Sequence, residues 1–302
     1  MNLRQRIKAN AKLALKGNWG KMVAFWVLVL IVQYFFQGLQ GVILLGFGEL
    51  TGLPVMEVAS GVELSAETLT PEIAIIMLVN GGASLLCGLG IFLLTGPLEM
   101  GIMRYALRLV ECREQSEKGV LHYFRGRLWL RALGAQLAVG VRLALWGILF
   151  VFPGILLIGI FLGLAATLQE QLQFVAVLGA LAGIGLLMVG MIAFVVISLR
   201  YELALWFVAE DDSVPIGEAI RQSVEYSKGV RGELLLFMIS FFFWQLLSIF
   251  VFPVPFVNSY YTTSLAIYAK YLHNQGVARE MASRPVMPPP PSDVPTVPPV
   301  EG

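Results

Sequence analysis

Residues 200–231 read RYELALWFVAEDDSVPIGEAIRQSVEYSKGVR. This is the longest charged passage after residue 131, and long apolar blocks flank it on both sides. Arg200, Tyr201 and Glu202 follow directly on an apolar run. An Arg at a membrane boundary can snorkel towards water, and Tyr favours the same depth. Arg200 and Glu202 are two residues apart and do not face each other on a helix, so a partner for Arg200 is expected from another helix. Glu210, Asp211, Asp212 and Ser213 precede Pro215, an order that predicts a helix start. Ile216, Ala219, Ile220 and Val224 recur at helical spacing, with Glu218, Arg221, Gln222 and Glu225 elsewhere. Together they predict a short amphipathic helix over about 216–228, on the membrane surface or docked on the bundle. Ser223 lies within it, and Gly229 is placed to end it. The acidic run admits two readings, a cation site or helix capping beside a solvated turn. The second is preferred, because no supporting ligand spacing is present.

Working outward, the composition assigns the class. Only 14% of the 302 residues are charged and 57% are hydrophobic, with a mean hydropathy of +0.77. Globular chains carry about 25% charged residues, so long uncharged runs at this composition predict an integral membrane protein. The net charge of +1 gives no global basic signature for nucleic acid. Cys87 is in an apolar segment and Cys112 in a charged one, so a disulfide between them is not expected.

The pattern predicts an all-α, polytopic transmembrane bundle of about six spans with amphipathic interfacial helices. Residues 1–21 carry six basic residues and no acid, with Leu3, Ile7, Ala11 and Leu15 on one face, and Trp19 suits the interface that follows. The spans are expected at about 22–48, 73–98, 143–169, 172–199, 234–252 and 256–272. In the second, Asn80 needs a polar partner and is read as helix–helix glue. Arg142 stands at the start of the third and can snorkel, and Pro153-Gly154 predicts a kink within it. Gly159/Gly163 and Gly179/Gly183 are two GxxxG pairs and candidate contact faces. Residues 274–302 are Pro-rich and read as a disordered tether.

Six spans place both termini on one side. All 21 Lys and Arg then fall on that side, and the loop from Glu49 to Glu72 and Glu170 fall on the other. The positive-inside rule makes the terminal side cytoplasmic, in the cell inner membrane.

Certain residues carry a family resemblance. Residues 15–20 (LKGNWG), Leu145-Trp146 followed by Pro153-Gly154-Ile155, and Glu218-Ala219-Ile220 with Ser223 and Lys228-Gly229 resemble the bacterial integral membrane family called domain of unknown function 975. The second half is also similar to the membrane domain attached to some glycerophosphodiester phosphodiesterases: an Arg-rich exit from a span, an acidic turn, then an EAI-x-x-S helix. The resemblance implies a six-helix membrane domain and supplies no activity. One departure stands out: a hairpin at about 159–197 intervenes between the Pro-Gly and the acidic turn.

Three function classes are weighed. A non-enzymatic module binding lipid or a protein partner fits the basic amphipathic segments, with anionic headgroups as the expected contact. A transporter or pore would need a polar route, for which Asn80, Gln245, Asn258, Thr262 and Thr263 are candidates, but no acid or base is placed within a span. An enzyme is not expected, since no His-rich motif, GxSxG or paired intramembrane acids occur. Neither cofactor nor metal is implied: His122 and His273 stand far apart, with no Cys or carboxylate at ligand spacing.

Overall fold

The computed structural model describes residues 3–53, 55, 70–111, 117–165 and 173–283. Most of the acidic loop, Cys112, Glu170 and the Pro-rich run from Pro285 lie outside these residues. The described chain is helical. In order come α1 (Leu3–Leu15), α2 (Trp19–Thr51), α3 (Pro71–Val110), a 3-10 turn (Glu117–Phe124), α4 (Arg127–Phe150), α5 (Phe152–Ala165), α6 (Gln173–Ser198), α7 (Ala204–Glu210), α8 (Ile216–Tyr226), α9 (Arg231–Ile239), α10 (Phe242–Leu246), a second 3-10 turn (Leu247–Ile249) and α11 (Val254–Ser283).

Five stretches of the described residues are long and apolar enough to cross a membrane: Trp19–Thr51, Pro71–Val110, Arg127–Phe150, Gln173–Ser198 and Arg231–Ile249. Their apolar surface faces outward. Leu78, Leu85, Leu86, Val189 and Ile192 are among the large hydrophobics left exposed, the pattern of helices whose solvent is lipid. The bundle is therefore a helical membrane bundle.

The protein's own core is gathered at one end. On α3, residues before Thr95 are mostly exposed, whereas Thr95, Leu98, Met100, Ile102, Tyr105, Ala106 and Leu107 are buried. That buried half packs with Ile7, Ala11 and Leu15 of α1, Trp206 and Phe207 of α7, and Tyr268 and Leu272 of α11. The molecule thus has two layers, an apolar membrane layer and a densely packed juxtamembrane layer. Helix α3, at about 60 Å for its 40 residues, runs through both.

Several expectations are corrected. The helix of the second span does not stop at 98: α3 continues to Val110, with its last turns in the juxtamembrane core. The third divides at Val151. Pro153 has no N–H to give the preceding turn, so α4 stops at Phe150 and α5 restarts at Phe152. Both pieces still pair antiparallel with α6: Gly147 faces Phe194, Gly154 abuts Leu187 and Gly183 abuts Ile158. This is the intervening hairpin.

The sixth expected span is not lipid-facing. Residues 257–272 of α11 are largely buried within the protein. Its hydroxyls permit this by bonding back along the helix, Ser259 Oγ to Pro255 O (2.6 Å) and Thr263 Oγ1 to Ser259 O (2.9 Å). The preceding segment breaks at Ser240 and Phe241 into α9 and α10. Its far end, Phe252-Pro253, shares an apolar groove with Lys12 and Trp19 at the very start of α2. By length and composition Arg231–Ile249 could cross a membrane, and from Phe242 to Phe252 the chain leaves large apolar side chains exposed. Helix α11 also runs to Ser283, so residues 274–283 are helical and do not belong to a disordered tail.

Candidate functional site

The site is built around an interruption in α3. Pro97 inside this helix leaves the carbonyl of Leu93, four residues back, without its helical donor. Trp129 of α4 repairs the gap, its Nε1 donating to Leu93 O at 3.2 Å, while Gln136 Nε2 donates to Gly96 O at 3.0 Å. This clamp fixes α4 against α3 and sets the direction of Glu99, two residues on.

Glu99 opens into a cavity of about 340 Å³ at the level where the lipid-facing helices enter the juxtamembrane core. Its walls come from six parts of the chain: Trp26 of α2, Ile102 and Met103 of α3, Val139 and Leu143 of α4, residues 198–206 at the end of α6 and start of α7, Gln245 of α10, and Asn258, Tyr261 and Thr262 of α11. Glu202 is the second carboxylate. No Lys, Arg or His lines the space. Both carboxylates are enclosed by protein yet keep accessible surface, because the cavity reaches them. Burial pushes the Glu202 carboxyl up from its ordinary value, with no hydrogen bond or charge opposing it. Tyr201, also lining the cavity, accepts a hydrogen bond from Trp146 Nε1 at 3.3 Å.

The acidic run of residues 210–212 divides: Asp211 is exposed in a turn, as the preferred reading has it, whereas Glu210 and Asp212 cap no helix and bind side chains of other elements. Helix α8 has Pro215 at its N-cap and no side-chain cap. Glu210 instead binds Lys270 Nζ (2.6 Å) and His273 Nδ1 (2.8 Å) of α11, and Lys270 also pairs with Glu111 at the end of α3. Asp212 binds Arg104 Nη1 (2.7 Å) on α3 and His122 Nε2 (2.9 Å) and Tyr123 Oη (3.1 Å) on the 3-10 turn. Asp211 accepts from the backbone N–H and hydroxyl of Ser213, both at 2.8 Å, which shapes the turn. The cations held here are the protein's own, so the run locks α3, α7 and α11 together. Among the described residues no group of three or more His, Cys, Asp and Glu could hold a metal.

The family model described as Protein of unknown function (DUF975) matches residues 1–275. The chain belongs to this family. No curated protein and no solved structure matches it.

In this DUF975 chain, Glu202 and three of the residues named for a polar route, Gln245, Asn258 and Thr262, line the cavity, and the other candidate positions are placed elsewhere. Trp19 borders the apolar groove beside Lys12, Trp244 and Phe256. Asn80 accepts from Gln40 Nε2 of α2 at 3.3 Å. Arg142 turns back to its own helix, donating to Ala138 O at 2.7 Å. Pro153 and Gly154 shape the α4–α5 break. Arg200 has its carbonyl bound by the buried Ser223 hydroxyl at 2.7 Å, which fastens α8 to the exit of α6. The partner expected for Arg200 is missing at Nε, which is buried with no hydrogen bond. Glu218 pairs with Arg221 on the exposed face of α8. Gly229 takes φ +83 in the turn to α9, a conformation that L side chains rarely adopt.

Sequence reasoning missed Glu99, Pro97 and Trp129. The signal for Glu99 was available: an acid two residues after a Pro, against an apolar run that continues to Val110. Ending the span at 98 set it aside, and the structure places it where the exposed half of α3 meets the buried half.

Proposed function

We propose that this chain is a non-enzymatic membrane module that holds a small ligand or a lipid headgroup in the boundary cavity. One observation carries this reading: a cavity of about 340 Å³ with two carboxylates that have no partner among the described residues. Its size falls at the small end of ligand sites, about 300–1,000 Å³, and its mix of mostly apolar walls with a few convergent polar groups suits binding. The exposed Arg6 and Lys12 of α1, with Lys16 just after it, supply a basic surface for anionic headgroups on the cytoplasmic side of the inner membrane. A membrane protein partner remains part of the same reading. The likeness to a phosphodiesterase membrane domain adds no activity to it.

Transport is the second reading, favoured by the convergence of Gln245, Asn258 and Thr262 on the cavity with both acids. Against it, the other polar group of the membrane layer, Asn80 with Gln40 and Ser84, is 19 residues from Glu99 on α3, about 28 Å away along the helix.

Native mass spectrometry of the full chain in lipid nanodiscs tests the proposal. Binding predicts one species retained at 1:1 and lost in Leu143→Trp, which fills the cavity from α4. Retention of bulk lipid alone, unchanged by Leu143→Trp, overturns it. Solute flux into proteoliposomes that Leu143→Trp blocks would establish the second reading.

A further inference from the structure

We propose that the boundary cavity recognises an organic cation through its alkylammonium group. This rests on the binding-module reading and adds the ligand's chemistry. Two carboxylates share a space that contains no basic side chain, and neither has a hydrogen bond or ion pair among the described residues. Elsewhere in the molecule the enclosed acids are matched: Glu210 by Lys270 and His273, Asp212 by Arg104 and His122. Glu99 and Glu202 stand apart from that pattern. A carboxylate taken out of water without a partner either takes up a proton or gains a cation; two acids on one cavity with aromatic walls favour the second when a cation of the right size is present.

The walls say which kind of cation. Trp26, Trp206, Tyr201 and Tyr261 line the same space. Aromatic rings attract ammonium groups through their quadrupole, an attraction that grows when water is excluded. A bare divalent ion would need six or more oxygen ligands close together. The walls here are mainly apolar, and no three-membered acidic or His-containing group is present among the described residues. The volume also fits a small organic group better than a single ion. Gln245 and Asn258 offer amides, and Thr262 a hydroxyl, for a polar substituent beside the ammonium.

An alkylammonium could arrive free in water or as the headgroup of a zwitterionic lipid. The full chain is reconstituted in phosphatidylglycerol nanodiscs and titrated with ethylammonium and tetramethylammonium chlorides, following indole fluorescence, with sodium chloride at equal ionic strength as the reference. A parallel arm compares retained lipid by native mass spectrometry in nanodiscs of mixed phosphatidylethanolamine and phosphatidylglycerol. Saturable binding of the soluble salts identifies a free amine. One retained phosphatidylethanolamine identifies the lipid source. In either arm Glu202→Gln and Glu99→Gln should each weaken binding about tenfold or more, while Glu218→Gln, on exposed α8, leaves it unchanged. Trp206→Leu, which keeps both charges, should weaken it less, so the result does not depend on the carboxylate variants folding. Responses to the ammonium salts that match sodium chloride, together with no selective lipid, overturn the proposal. Retention of phosphatidylglycerol or a neutral molecule that Leu143→Trp removes would overturn the cation assignment and leave the binding module standing.

Discussion

At the residue scale the juxtamembrane layer is held by a few enclosed charges. Burial acts to raise the carboxyl of Glu210, but the hydrogen bonds from His273 and Lys270 outweigh it and hold the group below its ordinary value of 4.5. Burial likewise acts upward on Asp212, and His122, Arg104 and Tyr123 together hold it below 3.8. A carboxylate depressed in the folded state contributes stability above its unfolded value and loses it as pH falls through the folded one. The stability that these two carboxylates supply should therefore be constant above about pH 5 and fall below it, whereas the raised carboxyl of Glu202 loses stability as pH rises above its ordinary value of 4.5. Asp212→Asn should lower unfolding stability by about 1–3 kcal/mol at neutral pH and shrink the acid-dependent part; a thermal melt in mild detergent across pH reads both. An unchanged acid limb in the variant would remove Asp212 from this role. The sequence displayed these acids plainly but not their partners. Arg104 stands 108 residues from Asp212 and Lys270 60 from Glu210, so local reading could find only the capping pattern.

At the element scale, small residues decide how the hairpin of α5 and α6 closes. The two GxxxG pairs look alike in sequence, yet they differ in the fold. A Cβ on Gly183 would stand 2.8 Å from Ile158 Cγ1 and 2.9 Å from Ile158 N, and one on Gly179 would overlap the Phe161 ring, whereas nothing lies within 4 Å of a Cβ on Gly159 or Gly163. Gly183→Ile should destabilise the chain by about 1–3 kcal/mol through overpacking, and Gly163→Ile should leave the melting temperature nearly unchanged. Equal effects would show that the hairpin packs by another face. Helix existence was legible in the sequence because period and apolarity are local. Which glycine faces which ring was not, since both helices are apolar all round. The cavity was illegible for a related reason. Trp26, Glu99, Leu143, Glu202, Gln245 and Asn258 are scattered over the chain, and each taken alone reads as an interfacial or packing residue.

At the scale of the whole molecule, five stretches of the described residues are long and apolar enough to cross. The groove that Phe252-Pro253 shares with Lys12 and Trp19 predicts that the fifth of them and α11 form a shallow hairpin in place of the last two expected spans. Either arrangement returns both termini to one side, so the charge asymmetry of the sequence keeps its meaning. The difference is measurable. Single cysteines introduced at Leu50 and at Val251, in a chain whose own Cys87 and Cys112 are changed to Ser, are labelled with a membrane-impermeant maleimide in right-side-out and inverted vesicles. Leu50 should react from the side opposite the termini. Val251, beside the tip at Phe252-Pro253, should not react from that side; labelling there would show that α9–α11 crosses after all. Fold class and the basic character of the terminal side could be read from residue order. The groove that Lys12 and Trp19 share with Phe252-Pro253, from which the depth of the last hairpin is predicted, could not.

Helix α1, which carries Lys12, closes on a part of the chain made more than 200 residues later. Lys8 donates to Ser240 O across 232 residues and accepts through its carbonyl from Tyr260 across 252, and Ile7, Ala11 and Leu15 join one core with Tyr268 and Leu272. During synthesis at about 5–20 residues per second, α1 must wait roughly 12–50 s before its mate leaves the ribosome. For that interval its apolar stripe has only the nascent bundle and the bilayer surface to rest on. The helix is thus a latch that the ribosome leaves undone until that mate appears, and truncation at its C-terminal counterpart would strand it open.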